Sequence, residues 1–140
     1  MKDKPIKLAL IAPCGIDCGL CWAYKRDKRT CPGCLVEGPA HSDYREKCRI
    51  KNCPEREAGG FKYCSACKTF PCTRLKQLDK RYRTRYATSL IENLEHIGQS
   101  GVRDFVRREK VRWMCPECGQ GLSMHKRSCV FCGHEWNRQQ

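Results

Sequence analysis

Apolar positions fall into a few short groups separated by polar, cysteine-studded stretches. Residues 6–12, with Ile6, Leu8, Leu10 and Ile11, form a short apolar run that tolerates a strand and could pair with a later segment. Trp22, Ala23 and Tyr24, followed by basic residues at 25–29, read as a short turn or helix with a basic exposed side. Residues 36–47, with Gly38, Pro39 and mixed charge, read as a loop. Helical spacing begins at Thr73, an N-cap candidate, with Leu75 and Leu78 on the buried side. Thr88 or Ser89 opens a clearer helix, in which Leu90, Ile91, Leu94 and Ile97 form one apolar stripe and Gly98 is placed to end it. Ser100 opens a further helix to about Lys110, with Val102, Phe105 and Val106 on one face.

Cysteine organises what lies between these groups: 14 of 140 residues. Cys14, Cys18 and Cys21, closely followed by Cys31 and Cys34, make the first group; Pro32 and Gly33 suit the latter pair to a knuckle turn. Cys48, Cys53, Cys64, Cys67 and Cys72 make the second, with Cys64-Ser-Ala-Cys67 as another knuckle. Thiolates two to four residues apart can turn back onto one soft metal ion, and intervening glycines permit the tight turn. Each group has five candidates for four places, and the pairing is open. The third group is the most specific. Cys115, Cys118, Cys129 and Cys132 are two CxxC pairs, each followed by Gly, with ten residues between them. That is the pattern of a zinc ribbon, in which two knuckles supply four thiolates and the glycines let backbone amides point at the sulfurs.

A chain of 140 residues allows one or two small units, and small units commonly supplement a modest core with metals or disulfides. The apolar run at 8–12 is too short for a signal-peptide core or a membrane span. A cytoplasmic protein with no membrane partner is therefore expected, and a reducing compartment favours metal over disulfide. Zinc is the first reading, in three sites, each stabilising the fold by on the order of 10 kcal/mol. The alternative is iron–sulfur: a 4Fe–4S cluster on the N-terminal cysteines, in a redox or cluster-carrying protein. The spacing of Cys14, Cys18 and Cys21 is also that of radical S-adenosylmethionine enzymes, but the chain lacks the length and strand–helix repeats of the barrel that surrounds such clusters.

Catalysis has no positive support. His41, His96, His125 and His134 are scattered, and none is paired with a cysteine as a base. His125 and His134 accompany a set of ligands already complete, which makes them neighbours or surface residues. His96 lies beside an apolar helix stripe.

The net charge is +13, and three tetrathiolate zinc sites would lower it to about +7. A basic chain of this size favours RNA, DNA or another polyanion, or simply has a self-repelling surface. The best nucleic-acid candidates are Arg81, Tyr82, Arg83, Arg85 and Tyr86: the arginines for phosphates, the tyrosines for unpaired bases. The competing expectation is a helix whose tyrosines pack inward while its arginines are solvated.

The order of motifs resembles a family known as domain of unknown function 3795. The resemblance rests on Cys14-Gly-Ile-Asp-Cys18-Gly-Leu-Cys21, Cys31-Pro-Gly-Cys34, the Cys48 and Cys53 region, and Phe61-Lys-Tyr-Cys64-Ser-Ala-Cys67-Lys-Thr-Phe-Pro-Cys72. The helical stretch from Ile91 to Phe105 fits too, as does the C-terminal ribbon beginning at Trp113. It implies a small intracellular cysteine-rich protein that binds metal, and carries over no activity. The expected architecture is a small metal-stabilised α+β protein. A cysteine-rich zinc-knuckle module spans 1–72, a helical segment packed on it 73–112, and a zinc ribbon 113–140. The expected role is a non-enzymatic binding module for RNA, a ribonucleoprotein or a protein partner.

Overall fold

A computed structural model describes residues 6–33, 48–50 and 52–136. The loop expected at 36–47, with His41 and the neighbouring Cys34, lies outside them. Among the described residues, two short helices come first, α1 (Trp22–Lys25) and α2 (Pro54–Gly59), followed by three longer ones: α3 (Thr73–Tyr86), α4 (Leu90–Ser100) and α5 (Val102–Arg112). The fold is largely helical. Among the described residues, extended pairing is limited to three isolated antiparallel bridges, Ile11–Asp17, Met114–Gly121 and Ser128–Glu135.

The apolar run at 6–12 is therefore not a strand. Leu8–Leu10 is a 3-10 turn, and the chain reverses at once, with Ala12 N–H donating to Ile16 C=O and Gly15 N–H to Ala12 C=O. Reversal after so few residues leaves Ile11 only Asp17 to pair with. The three long helices form as their spacing predicts, with shifted ends. Cys72 rather than Thr73 is the capping residue of α3, which continues through the basic and aromatic stretch to Tyr86. Ser89 caps α4, its hydroxyl accepting from Glu92 N–H at 3.2 Å. Gly98 does not end α4. It lies within the helix facing Ser65, and the chain turns at Gly101 instead.

Helix α4 packs against both α3 and α5 and against the turn Cys64–Ala66. Its Leu90 and Leu94 are fully buried among Leu75, Leu78 and Tyr82 of α3, Phe105 and Val106 of α5, and Ile11, Cys14, Cys18 and Leu20 from the N-terminal turns. Trp113, Leu122 and Met124 extend the same cluster into the C-terminal unit. Asp79, also buried, ties α3 to the start of α4. Its carboxylate accepts from Ser89 Oγ at 2.8 Å and Ile91 N–H at 3.0 Å, and pairs with Arg83. A carboxylate is well placed there, since unsatisfied amides give a helix N-terminus partial positive charge.

The first cysteine loop is seated directly on α4. Gly15 has φ of 91°, its carbonyl accepts from Asn93 Nδ2 at 3.0 Å, and a Cβ there would meet Leu90 O at 2.8 Å and Leu94 Cγ at 2.9 Å. Both the dihedral and the space therefore require glycine. Gly15→Ala is expected to lower stability by about 2 kcal/mol or more, read as a lower denaturation midpoint at fixed metal content.

Two acids are buried nearby, Asp17 in this loop and Glu109 on α5. Burial raises Asp17 to about 6, against the opposing Gly19 N–H and Lys25. Burial and the nearby Asp17 raise Glu109 to about 7, against Arg112, Trp113 and Arg108. Folded Glu109 thus keeps a proton that the unfolded chain releases above its ordinary value, so stability falls as pH rises from about 4.5 to about 7. Glu109→Gln should gain on the native chain by about 2 kcal/mol between pH 5 and pH 8. Denaturation of both proteins at both pH values checks this, because changes common to the two cancel.

Candidate metal centre

The C-terminal unit is built from one turn used twice, fourteen residues apart in the numbering of its equivalent positions. Cys115 N–H donates to Gln120 C=O at 2.8 Å, and Gly119 N–H to Cys115 C=O at 2.9 Å. Cys129 N–H likewise donates to His134 C=O at 2.7 Å, and Gly133 N–H to Cys129 C=O at 2.9 Å. Gly119 and Gly133 have φ of 76° and 80°, a left-handed conformation that lets each turn close. Cys115 and Cys129 are buried at the inner edge, whereas Cys118 and Cys132 are exposed at the outer edge.

The four Sγ atoms lie within 4.8 Å of one another. Across the two turns Cys115 and Cys132 are 3.7 Å apart, and Cys118 and Cys129 are 3.6 Å apart. A tetrahedron of ~2.3 Å metal–sulfur bonds has edges of ~3.8 Å. The donor set therefore fits one tetrahedral ion, and these cysteines could hold a metal.

Backbone amides face the sulfurs as they do around a bound thiolate. Burial pushes the Cys115 thiol up, but N–H groups of Cys118 and Glu117 and the neighbouring Cys132 and Cys118 thiols outweigh it, bringing it to about 7. The Gln120 N–H draws Cys118 down, yet burial and the other three sulfurs leave it at about 12. Cys132 is also raised, the His134 N–H being outweighed by burial and by Cys115 and Cys129. One thiol ionises readily, and the charge it leaves opposes ionisation of the others. A divalent cation would reverse that opposition. Four thiolates complete the coordination of such an ion, which suits it to holding structure rather than to catalysis.

Around this unit, Trp113 is buried edge-on against Trp136, with ring centroids 5.4 Å apart. Leu20 C=O accepts from both Met124 N–H at 3.0 Å and Ser123 Oγ at 2.8 Å, joining the first cysteine loop to the C-terminal unit. His125 adds to the same joint. Its Nδ1 accepts from Trp22 N–H at 3.2 Å, and its ring meets Tyr86 edge-on at 4.8 Å. It is thus a neighbour of the thiol cluster in sequence but a structural link in space. His96 donates through Nε2 to the Asp104 carboxylate at 2.7 Å, and its Nδ1 accepts from Arg108 at 3.0 Å. No sequence spacing announced that contact, because it joins two helices.

The N-terminal cysteines are distributed differently. Cys14 and Cys18 are packed in the core, and Cys21 and Cys31 are half-buried. Cys53, Cys64, Cys67 and Cys72 line one cavity, and Cys48, Cys64 and Cys72 pack against the apolar cluster. Burial pushes the Cys64 thiol up to about 12, reinforced by Cys72, Cys53 and Cys67 and opposed by Arg56. None of the thirteen described cysteines is joined in a disulfide.

Of the basic–aromatic stretch, Arg81, Arg83 and Arg85 are exposed, and Arg83 is held by Asp79 at 2.8 Å. Tyr82 is 9% exposed and meets Tyr86 edge-on at 5.1 Å. The tyrosines thus contribute to packing, as the inward-facing expectation has it.

These features define a small, largely helical, cysteine-rich protein with a four-thiol cluster near its C-terminus. Residues 10–77 match the model of the family described as protein of unknown function (DUF3795). The resemblance read from the N-terminal cysteines holds there. The match ends within α3, so α4, α5 and the four-thiol cluster lie outside it. No curated protein and no solved structure matches the chain. Among the described residues, no helix is long and apolar enough to cross a membrane.

Replacing Cys115 and Cys129 together by Ser is expected to remove one metal equivalent per chain, read by elemental analysis. It should also redden tryptophan emission as buried Trp113 is uncovered. The same shift should follow chelation of the native chain.

Proposed function

We propose that this chain is a zinc-stabilised, non-enzymatic binding module whose C-terminal unit is a zinc ribbon and whose basic helices contact RNA or a ribonucleoprotein. The convergence of Cys115, Cys118, Cys129 and Cys132 at the spacing of a single tetrahedral ion carries the metal part of this reading. Charge supports the polyanion part. Helix α3 carries Arg74, Lys76, Lys80, Arg81, Arg83 and Arg85, all exposed, against one acid, Asp79, which is buried and faces α4. With Tyr82 and Tyr86 turned toward the packed interior, recognition would run through phosphates rather than through stacked bases. Reduced thiols at such density suit the cytoplasm.

Phosphate contact makes affinity fall steeply with salt. Fluorescence anisotropy with a single-stranded RNA, repeated across salt concentrations, should show that slope. Arg81→Gln with Arg85→Gln should reduce it by about 1.4, at ~0.7 per lost contact. Arg83 is left intact because its bridge to Asp79 belongs to the fold. A flat salt response in the native protein would remove RNA as the partner and leave a protein partner to be sought.

A further inference from the structure

Four of the N-terminal cysteines, drawn from separate segments, border one space. Cys53, Cys64, Cys67 and Cys72 line a cavity of about 620 Å³. Cys64 lies within electrostatic reach of the other three. The backbone holds each in place. Cys64 N–H donates to Pro13 C=O at 3.0 Å, anchoring the knuckle to the loop that sits on α4. Cys67 N–H donates to Cys64 C=O and Phe70 N–H to Cys67 C=O, each at 3.1 Å, so the chain folds back toward Cys72. Cys53 immediately precedes α2, and Cys72 immediately precedes α3.

The geometry points to a second thiolate-bound metal centre, with Cys53, Cys64, Cys67 and Cys72 as its ligands and Cys48 outside it. This rests on the reading of the cysteines as metal ligands but not on occupancy of the C-terminal cluster. The sequence supplies five candidates for the four places, and the cavity chooses among them. Cys48 does not border it, and its carbonyl accepts from Asn52 N–H in a local turn. The electrostatics also suit the assignment. A tetrathiolate bound to a divalent ion carries two net negative charges, and Arg49, Arg56, Arg74 and Lys76 all line the same cavity. Cys67 has a ready outer partner in Thr69, whose Oγ1 is 3.2 Å from its sulfur. With the thiol ionised, that hydroxyl donates to it, while the Cys67 contact to Glu55 at 3.7 Å is given up.

The two thiol sets differ in spread. Among the described residues, only the C-terminal set gathers three or more ligand atoms within 4.8 Å. A single ion would require the wider set to draw together, whereas a four-iron cluster holds its thiolates farther apart. The ligands are the same in either case.

The test uses the full chain, purified without oxygen, and compares metal and sulfide content and visible absorption across variants. Cys72→Ser is expected to lose one zinc equivalent, or else the iron, sulfide and band near roughly 400 nm of a cluster. Cys48→Ser should keep the native content. Cys115→Ser with Cys129→Ser should lose only the C-terminal equivalent. Native content in Cys72→Ser, or equal loss in Cys48→Ser, overturns the assignment. If Cys115→Ser with Cys129→Ser removes all metal while Cys72→Ser removes none, this centre fails and the ribbon reading stands. A variant that binds without misfolding guards against general collapse. In cobalt-loaded protein, Cys67→His should retain the ion but shift its visible bands as one sulfur is replaced by nitrogen. An unchanged spectrum counts against the site.

Discussion

The close approach of the Gly15 backbone to helix α4 is the contact on which the rest of the arrangement depends. Asn93 holds the Gly15 carbonyl, and Leu90 and Leu94 leave no room for a side chain above it. From that seat the loop reaches outward in two directions. Pro13 C=O anchors the turn at Cys64, and Leu20 C=O receives the C-terminal unit at Ser123 and Met124. A few residues of irregular backbone thereby connect three cysteine-bearing regions to one helix. Small chains have little apolar surface to bury, and here that surface is concentrated around α4.

Charge is sorted by depth. Acids that matter to the fold are inside: Asp17 in the first loop, Glu109 on α5, and Asp79 on α3 against the start of α4. Arginines and lysines on α3 and α5 are largely outside. Arg83 crosses that division by pairing with Asp79, which separates it in function from Arg81 and Arg85 despite identical chemistry. Thiolates bound to metal would add negative charge near the N-terminal cavity, where arginines already gather.

Periodic features were legible in the sequence and nonperiodic ones were not. Leu75, Leu78, Leu90, Leu94, Ile97, Phe105 and Val106 occupy the core that their helical spacing predicts. The C-terminal thiols converge because two identical five-residue patterns fold alike. Gly98 misled because glycine is a weak stop signal when the following residues can still bond within the helix. The 6–12 run misled because an apolar segment needs a partner to become a strand, and the tight turn at 12–16 supplies only one bridge. The burial of Asp17 against Glu109 joins positions nearly a hundred residues apart, and no local pattern encodes it. The grouping of Cys53 with Cys64, Cys67 and Cys72 is of the same kind, since spacing alone leaves Cys48 an equal candidate.

The inner and outer edges of the C-terminal cluster have different chemical lives. Cys115 and Cys129 are shielded by the protein, whereas Cys118 and Cys132 face solvent. Chelators, oxidants and exchanging thiols can therefore approach from one side only. Release of a bound ion would begin with the outer sulfurs and leave the inner pair as its last hold. Oxidation would follow the same order and could couple Cys118 to Cys132 before the inner sulfurs were reached. The unit is thus asymmetric in its durability, even though its two turns are built alike.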